Sequence, residues 1–191
     1  MIVYLHGFNS GGRSQKALWL REHLTPTPVF APDYPAHRAT DALRVLRKFI
    51  RRLRRENANG QRLLLIGSSL GGFWAQYLAW EFDARLVLIN PSLRPDQTLA
   101  RHIGRFRNQA TGAETVLTLD DVRTLKKYRV EPCNHRVPTL TLLDEKDEVL
   151  DYRVAAAVMT GCGRIIVYPG GSHRFDHLAE ALSEIRAMYA D

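Results

Sequence analysis

The 191-residue sequence predicts an α/β fold, with a mostly parallel sheet of about six strands covered by helices on both faces. Short apolar runs typical of buried strands alternate with longer stretches in which apolar residues recur at helical spacing. The composition, 45% hydrophobic and 25% charged, is enough for one substantial core. No repeat, low-complexity tract or long linker divides the chain. We therefore expect a single domain over residues 1–191.

Each predicted element has its own signal in the sequence. Six short apolar runs are predicted as strands: 1–5, 29–31, 63–66, 85–89, 137–143 and 164–168. Helices are predicted over 14–24, 41–56 and 72–82, and from about residue 175 onwards. Helical spacing is clearest in the second helix, whose apolar stripe comprises Ala42, Val45, Leu46, Phe49, Ile50 and Leu53.

A G-x-S-x-G pentapeptide lies between the third strand and the next helix, where residues 67–71 read Gly-Ser-Ser-Leu-Gly. A serine hydroxyl is a poor nucleophile unless it is held exposed beside a base and an oxyanion site, and a sharp strand-to-helix turn achieves this. Glycine and serine are also ordinary turn residues, so the five letters alone are not specific. Their position after a buried strand makes Ser69 the candidate nucleophile.

The loops after the last two predicted strands supply an acid and a base. Asp144 follows one strand directly, Asp147 lies further along the same loop, and Asp151 is typical of a helix N-cap. Asp144 and Asp147 both remain candidates on this reasoning. His173 follows the glycines of the final loop and is preferred to His177, which would lie within the last helix. The order serine, acid, histidine is that of an α/β-hydrolase triad.

The first strand ends at His6-Gly7-Phe8, which predicts one side of an oxyanion site. In this fold, one backbone donor comes from that loop and the other from the residue after the nucleophile. The predicted donors are the N–H groups of Phe8 and Leu70. His6 precedes Ser69 in the chain, so we expect it to brace the loop by hydrogen bonding rather than to transfer protons.

Five segments together resemble the small YqiA-like esterases of the α/β-hydrolase superfamily: residues 6–10, 67–72, 90–92, 147–152 and 171–173. The resemblance extends over nearly the whole chain. It implies a compact α/β-hydrolase fold, and a carboxylester or thioester hydrolase whose triad is Ser69, Asp147 and His173. Among the acids, it therefore favours Asp147 over Asp144.

Residues 94–136 interrupt the alternation of strands and helices and form a polar insertion. Helix-like pieces are predicted over 98–106 and 119–128. Hydrolases commonly insert a cap at this point, which borders the acyl pocket and excludes water. The alternative interpretation is a surface excursion with two short helices.

The net charge of +7 is concentrated on the second helix, in Arg44, Arg47, Lys48, Arg51, Arg52, Arg54 and Arg55. These residues fall opposite the apolar stripe, so we interpret them as a solvated face. No aromatic interleaving or nucleic-acid module indicates a nucleic-acid partner. No metal or organic cofactor is expected.

The chain lacks an apolar run of about 20 residues and a signal-peptide pattern, so no membrane span is expected. With only Cys133 and Cys162, a disulfide framework is not expected, and a reducing cytoplasmic setting is the default prediction. Cys162 lies between two glycines and is interpreted as a small turn or packing residue.

The sequence therefore predicts acyl transfer from an ester or thioester of a small molecule, through an acyl-enzyme on Ser69. Two alternatives remain: a noncatalytic binding protein on the same scaffold, and a serine peptidase, because the same triad cleaves amides.

Overall fold

A six-stranded sheet, parallel at every neighbouring pair, forms the centre of the computed structural model, which describes residues 1–57 and 62–190. Its strands, in spatial order, are β2 (Val29–Phe30), β1 (Ile2–Leu5), β3 (Leu64–Ser68), β4 (Arg85–Ile89), β7 (Thr139–Asp144) and β8 (Arg164–Tyr168). A separate antiparallel pair consists of β5 (Gly104–Arg107) and β6 (Glu114–Leu117). The predicted six-stranded parallel sheet is confirmed.

The described residues also form seven α-helices: α1 (Gln15–His23), α2 (Ala39–Glu56), α3 (Leu70–Glu81), α4 (Pro95–Thr98), α5 (Leu119–Leu125), α6 (Tyr152–Met159) and α7 (Leu182–Ala190). One apolar cluster joins α2, α3 and α6 to one face of the sheet, and a second joins α1 and α7 to the other. Successive residues of β3 alternate between them: Leu65 belongs to the first cluster, whereas Leu64 and Ile66 belong to the second. Because both faces are covered, most strand residues are apolar.

Helix α2 has the two faces that its sequence predicts. Its apolar side, including Leu46, Ile50 and Leu53, is buried. On the other side, Arg47 and Arg51 both form ion pairs with Glu81 of α3. Neither this helix nor any other in the described ranges is long and apolar enough to cross a membrane.

The insertion differs from prediction in its first half. Residues 98–106 were predicted to be one helical piece, but α4 ends at Thr98, a 3₁₀ turn covers Ala100–His102, and β5 begins at Gly104. Between β5 and β6 the chain turns at Asn108 and Gly112. Gly112 has a φ of +70°, a conformation that favours glycine. Along β5, half-buried and exposed residues alternate, which is the period of a strand. The second piece is helical, as α5 and a following 3₁₀ turn over Lys126–Tyr128.

The last helix begins at Leu182, so the prediction of a start near residue 175 was wrong. Phe175 has a φ of +61°, which a right-handed helix cannot include. The Asp176 N–H donates to the carboxylate of Asp144 at 2.8 Å, and this bond holds the chain in a turn. His177 consequently lies in that turned segment and not within a helix.

The two cysteines form a disulfide between Cys133 and Cys162, contrary to the sequence-based expectation. They are 29 residues apart in the chain, with Cα atoms 6.2 Å apart. Sequence spacing gave no sign of this proximity, because the contact is made by the fold between the segment after α5 and the turn before β8. The argument from unpaired cysteines to a reducing compartment is therefore removed.

Candidate active site

Ser69 lies at the sharp turn between β3 and α3, with φ 54° and ψ −125°. The glycines around it make this turn possible, since a Cβ on Gly67 would lie 2.4 Å from the Gly71 carbonyl oxygen. The Ser69 N–H donates to the Ile89 carbonyl at 3.1 Å, which anchors the turn to β4. This is the geometry of a nucleophile elbow, a strained turn that presents the hydroxyl.

His173 lies between Ser69 and Asp147. Its Nε2 atom is 3.0 Å from Ser69 Oγ, and its Nδ1 atom is 2.8 Å from Asp147 Oδ2. The Asp147 side chain is only 2% exposed, and its other oxygen accepts the N–H groups of Val149 and Leu150. With a proton on Nδ1 for the carboxylate, Nε2 is left as the acceptor for the serine hydroxyl. The structure thus brings together the three residues predicted as a triad.

The predicted oxyanion donors flank the serine. Leu70 is the first residue of α3, so its N–H has no partner within the helix. In the part of the chain that the structure describes, neither this N–H nor that of Phe8 donates to another protein group. A Cβ on Gly7 would lie 3.0 Å from Ser69 Cβ, so the loop after β1 packs directly against the nucleophile. Both donors are therefore available for an oxyanion.

His6 is 2% exposed, and its Nδ1 contacts the Gly7 carbonyl oxygen at 2.9 Å. The Tyr34 hydroxyl donates to the His6 carbonyl at 2.6 Å, which ties the same loop to the segment after β2. Burial lowers the pKa of His6 and favours a neutral imidazole. These contacts fit the predicted bracing role.

Asp144, the alternative acid, does not contact His173. It is fully buried, and its Oδ2 accepts the N–H groups of Ser172 at 3.1 Å and Asp176 at 2.8 Å. Its Oδ1 is 2.7 Å from Nδ1 of His177. A second histidine–carboxylate pair therefore lies beside the first. Sequence reasoning missed it, although two acids three residues apart and two histidines four residues apart were its visible signal.

A cleft of about 960 Å³ opens onto Ser69 and His173. One wall comes from the turn of the β5–β6 hairpin, whose residues Gln109 and Ala110 line the cleft. The Gln109 N–H donates to Asn9 Oδ1 at 2.9 Å and so joins the hairpin to the loop after β1. The insertion therefore borders the candidate site.

Three cationic side chains line this cleft, those of Arg13, Lys16 and Arg174, against one carboxylate, that of Asp176. Within residues 1–57 and 62–190, none of the three cations forms an ion pair with a carboxylate. Burial lowers the pKa of Lys16 to about 8, although Asp144 and Asp176 oppose the shift. The cleft wall is therefore positively charged at neutral pH.

The parallel sheet, the strained serine turn and the order of the site residues define an α/β-hydrolase fold. The chain belongs to the family described as "Uncharacterised protein family (UPF0227)", whose model matches residues 1–190. A UPF0227 protein of Serratia proteamaculans is 29% identical over 193 residues, covering 98% of each chain. The YcfP protein of Salmonella gallinarum is 28% identical over 190 residues, also with 98% coverage of each. The resemblance noted from the sequence is confirmed.

Solved structures agree on the fold. Est1E from Butyrivibrio proteoclasticus superposes with a TM-score of 0.74 at 19% identity, over 100% of this chain and 88% of that one. A monoacylglycerol lipase from Paleococcus ferrophilus gives 0.69 at 17% identity, over 99% and 93%. At these identities the similarity establishes the architecture, and the chemistry has to be argued from the site.

Proposed function

We propose that this protein is a serine hydrolase that cleaves carboxylic esters or acyl thioesters through an acyl-enzyme intermediate. The observation that carries the proposal is the position of His173, with one ring nitrogen 3.0 Å from Ser69 Oγ and the other 2.8 Å from Asp147. Such an arrangement converts a weak nucleophile into a reactive one.

In the first half of the reaction, His173 Nε2 takes the Ser69 proton while Oγ forms a bond to the substrate carbonyl carbon. The carbonyl oxygen becomes an oxyanion and accepts the N–H groups of Phe8 and Leu70. Asp147 holds the imidazole in the required tautomer and stabilises its positive charge. When the intermediate collapses, the bond to the leaving alcohol or thiol breaks and His173 returns the proton to that group.

In the second half, water attacks the acyl carbon and His173 takes its proton. The bond from the acyl carbon to Ser69 Oγ breaks, the serine recovers its proton, and a carboxylic acid leaves. No step requires a cofactor. The turn at Gln109 and Ala110 would act as the edge of a cap over the acyl group, since it lines the same cleft.

The charge of the cleft favours substrates that carry a negative group near the scissile bond. Arg13, Lys16 and Arg174 line the same cleft as Ser69. Opposite charge in a low-dielectric cleft raises the local concentration of an anionic substrate. A carboxylate on the acyl part and a phosphate on the leaving group share this chemistry, so matched substrate pairs distinguish them.

Two measurements test the proposal. A fluorophosphonate probe should label the wild-type protein and leave Ser69→Ala unlabelled, and p-nitrophenyl esters of increasing chain length should be hydrolysed beside acyl-coenzyme A thioesters. Each anionic substrate is paired with a neutral analogue of the same acyl length. Folded wild-type protein that is neither labelled nor active would favour the noncatalytic alternative. Turnover of peptides alone would favour the peptidase.

A further inference from the structure

The loop that carries His173 is held by side chains outside the triad, including Glu148, whose Oε2 accepts the His173 N–H at 2.9 Å. Asp144 accepts N–H groups on either side of the histidine, from Ser172 and Asp176. Asn90 at the end of β4 donates through Nδ2 to the Ser172 carbonyl at 2.9 Å. Asn90 Oδ1 accepts the N–H of Asp144 at 2.8 Å, so the two side chains form one connected support.

The approach of Asp144 to this loop depends on Gly171. A Cβ at that position would lie 2.0 Å from Asp144 Oδ2, a distance that no side chain tolerates. Gly171 has a φ of +73°, and its neighbour Gly170 has a φ of +80°. A Cβ on Gly170, however, would meet nothing within 4 Å. The two glycines therefore share the same backbone strain and differ in their contact with Asp144.

We propose that Asp144, paired with His177, is a positioning device for catalysis that fixes the 171–177 loop so that His173 faces Ser69. The inference rests on the proposed function. Neither Asp144 nor His177 contacts the serine, so both act through His173. Misplacing a catalytic group by about 1 Å costs on the order of 100-fold in rate, which is the scale of effect that such a device controls.

The surroundings of His177 are mainly acidic. Its ring is bonded to Asp144 and stacks on Tyr168 with centroids 5.0 Å apart. Asp176 and Glu180 add negative charge on its own segment, and Lys16 of α1 adds a positive charge beside Asp144. The hydrogen bond to Asp144 raises the pKa of His177, chiefly by stabilising the imidazolium. His177 thus carries its positive charge below that raised pKa; above it, a neutral imidazole N–H donates to the Asp144 carboxylate and the ionic attraction is lost.

The first test compares Gly171→Ala with Gly170→Ala in the full-length protein. We expect kcat for a p-nitrophenyl ester to be at least about tenfold lower in Gly171→Ala than in Gly170→Ala, with KM within about twofold. Backbone strain is common to both variants, so the difference isolates the contact with Asp144. Equal kcat values in two folded variants would overturn the inference.

The second test uses His177→Gln, which retains a hydrogen-bond donor and does not titrate. The wild-type kcat should decline by about threefold at alkaline pH as His177 loses its charge, because its ion pair with Asp144 becomes a weaker hydrogen bond from a neutral imidazole to the carboxylate. At pH values below this decline, His177→Gln should have a lower kcat than the wild type. Its kcat should not decline at alkaline pH. If His177→Gln had the kcat of the wild type and the same decline at alkaline pH, the positioning role of the Asp144–His177 pair would be contradicted.

Failure of the proposed function has a separate signature. Absence of wild-type turnover and of Ser69 labelling would count against the hydrolase, whatever holds the loop. In that case amide hydrogen exchange still tests the support: the N–H groups of Ser172 and Asp176 should lose protection in Gly171→Ala and keep it in Gly170→Ala. Equal protection in both variants would contradict the positioning role.

Discussion

Two histidine–carboxylate pairs lie side by side in this protein, and they are almost the same in local chemistry. Asp147 and Asp144 each accept one imidazole Nδ1, at 2.8 and 2.7 Å, and each accepts two backbone N–H groups. The partners of Asp147 at 149 and 150 belong to its own loop. Those of Asp144, at Ser172 and Asp176, lie 28 and 32 residues along the chain.

The two histidines also differ in the contacts of their Nε2 atoms. His173 Nε2 faces the Ser69 hydroxyl, whereas no group other than Asp144 is hydrogen-bonded to the His177 ring in the described part of the chain. A carboxylate and an imidazole therefore do not define a catalytic site by themselves. In our two proposals, the third group decides what each pair does: Ser69 serves one pair as a nucleophile, and the other pair holds a loop.

The largest effect should come from removing that third group. Ser69→Ala leaves the Asp147–His173 pair without a nucleophile, so ester hydrolysis should fall by roughly three orders of magnitude or more while the fold is retained. Steady-state turnover and circular dichroism measure the two quantities. Ser68→Ala, one residue earlier, should be far milder. Near-normal turnover by purified Ser69→Ala would show that another group is acylated.

Removing the charge from each acid should separate the pairs next. Asp147→Asn should lower kcat by about two to four orders of magnitude, because the amide offers a donor to His173 Nδ1 and selects the wrong tautomer. Asp144→Asn should cost about tenfold, since it acts only through the loop position. A larger kcat loss in the Asp144 variant, with both proteins folded, would reverse the two assignments.

The two substitutions should affect stability in the opposite order, with Asp144→Asn more destabilising than Asp147→Asn. Asp144 is fully buried and joins two loops distant in the chain, so Asp144→Asn should lower the free energy of unfolding by about 1–3 kcal/mol. Because Asp144 raises the pKa of His177, its stabilisation is full below the ordinary histidine pKa and decreases as pH rises through the raised value. In urea titrations, the difference from wild type should therefore narrow at alkaline pH. A difference that widens would exclude this linkage.

The sequence predicted the parts of the fold that depend on local patterns. Apolar runs and helical spacing are properties of neighbouring residues, and they located the sheet and α2. The predicted start of the last helix was wrong because the Asp144 carboxylate at the end of β7 accepts the N–H of Asp176. This is a hydrogen bond between distant segments. The disulfide and the β5–β6 hairpin were missed for related reasons: one is a distant contact, and the other is a short strand pair within a polar segment.

The site divides in the same way. A nucleophile elbow has a local signature, so Ser69 and Leu70 followed from the pentapeptide and its flanks. The choice between Asp144 and Asp147 needed the family resemblance, because both acids follow the same strand within three residues. The pairing of Asp144 with His177 depends on how the final loop folds back, and on Gly171 allowing close contact. No local pattern encodes that distance.

The smallest expected effect comes from Lys16, the cation of the cleft that lies near Asp144. Lys16 lines the cleft with a pKa of about 8, because burial disfavours its charge. As pH rises through about 8, the ammonium loses its proton and its attraction for an anionic substrate.

We expect the ratio of kcat/KM for a carboxylate-bearing ester to that for its neutral analogue to fall by about threefold between pH 7 and 9. The ratio cancels any effect of pH on the catalytic step, which both substrates share. Lys16→Met should lower this ratio at pH 7 and flatten its pH dependence, whereas Lys48→Met, on the exposed face of α2, should retain the wild-type profile. A profile that stays unchanged in Lys16→Met would place the recognition of negative charge on Arg13 and Arg174.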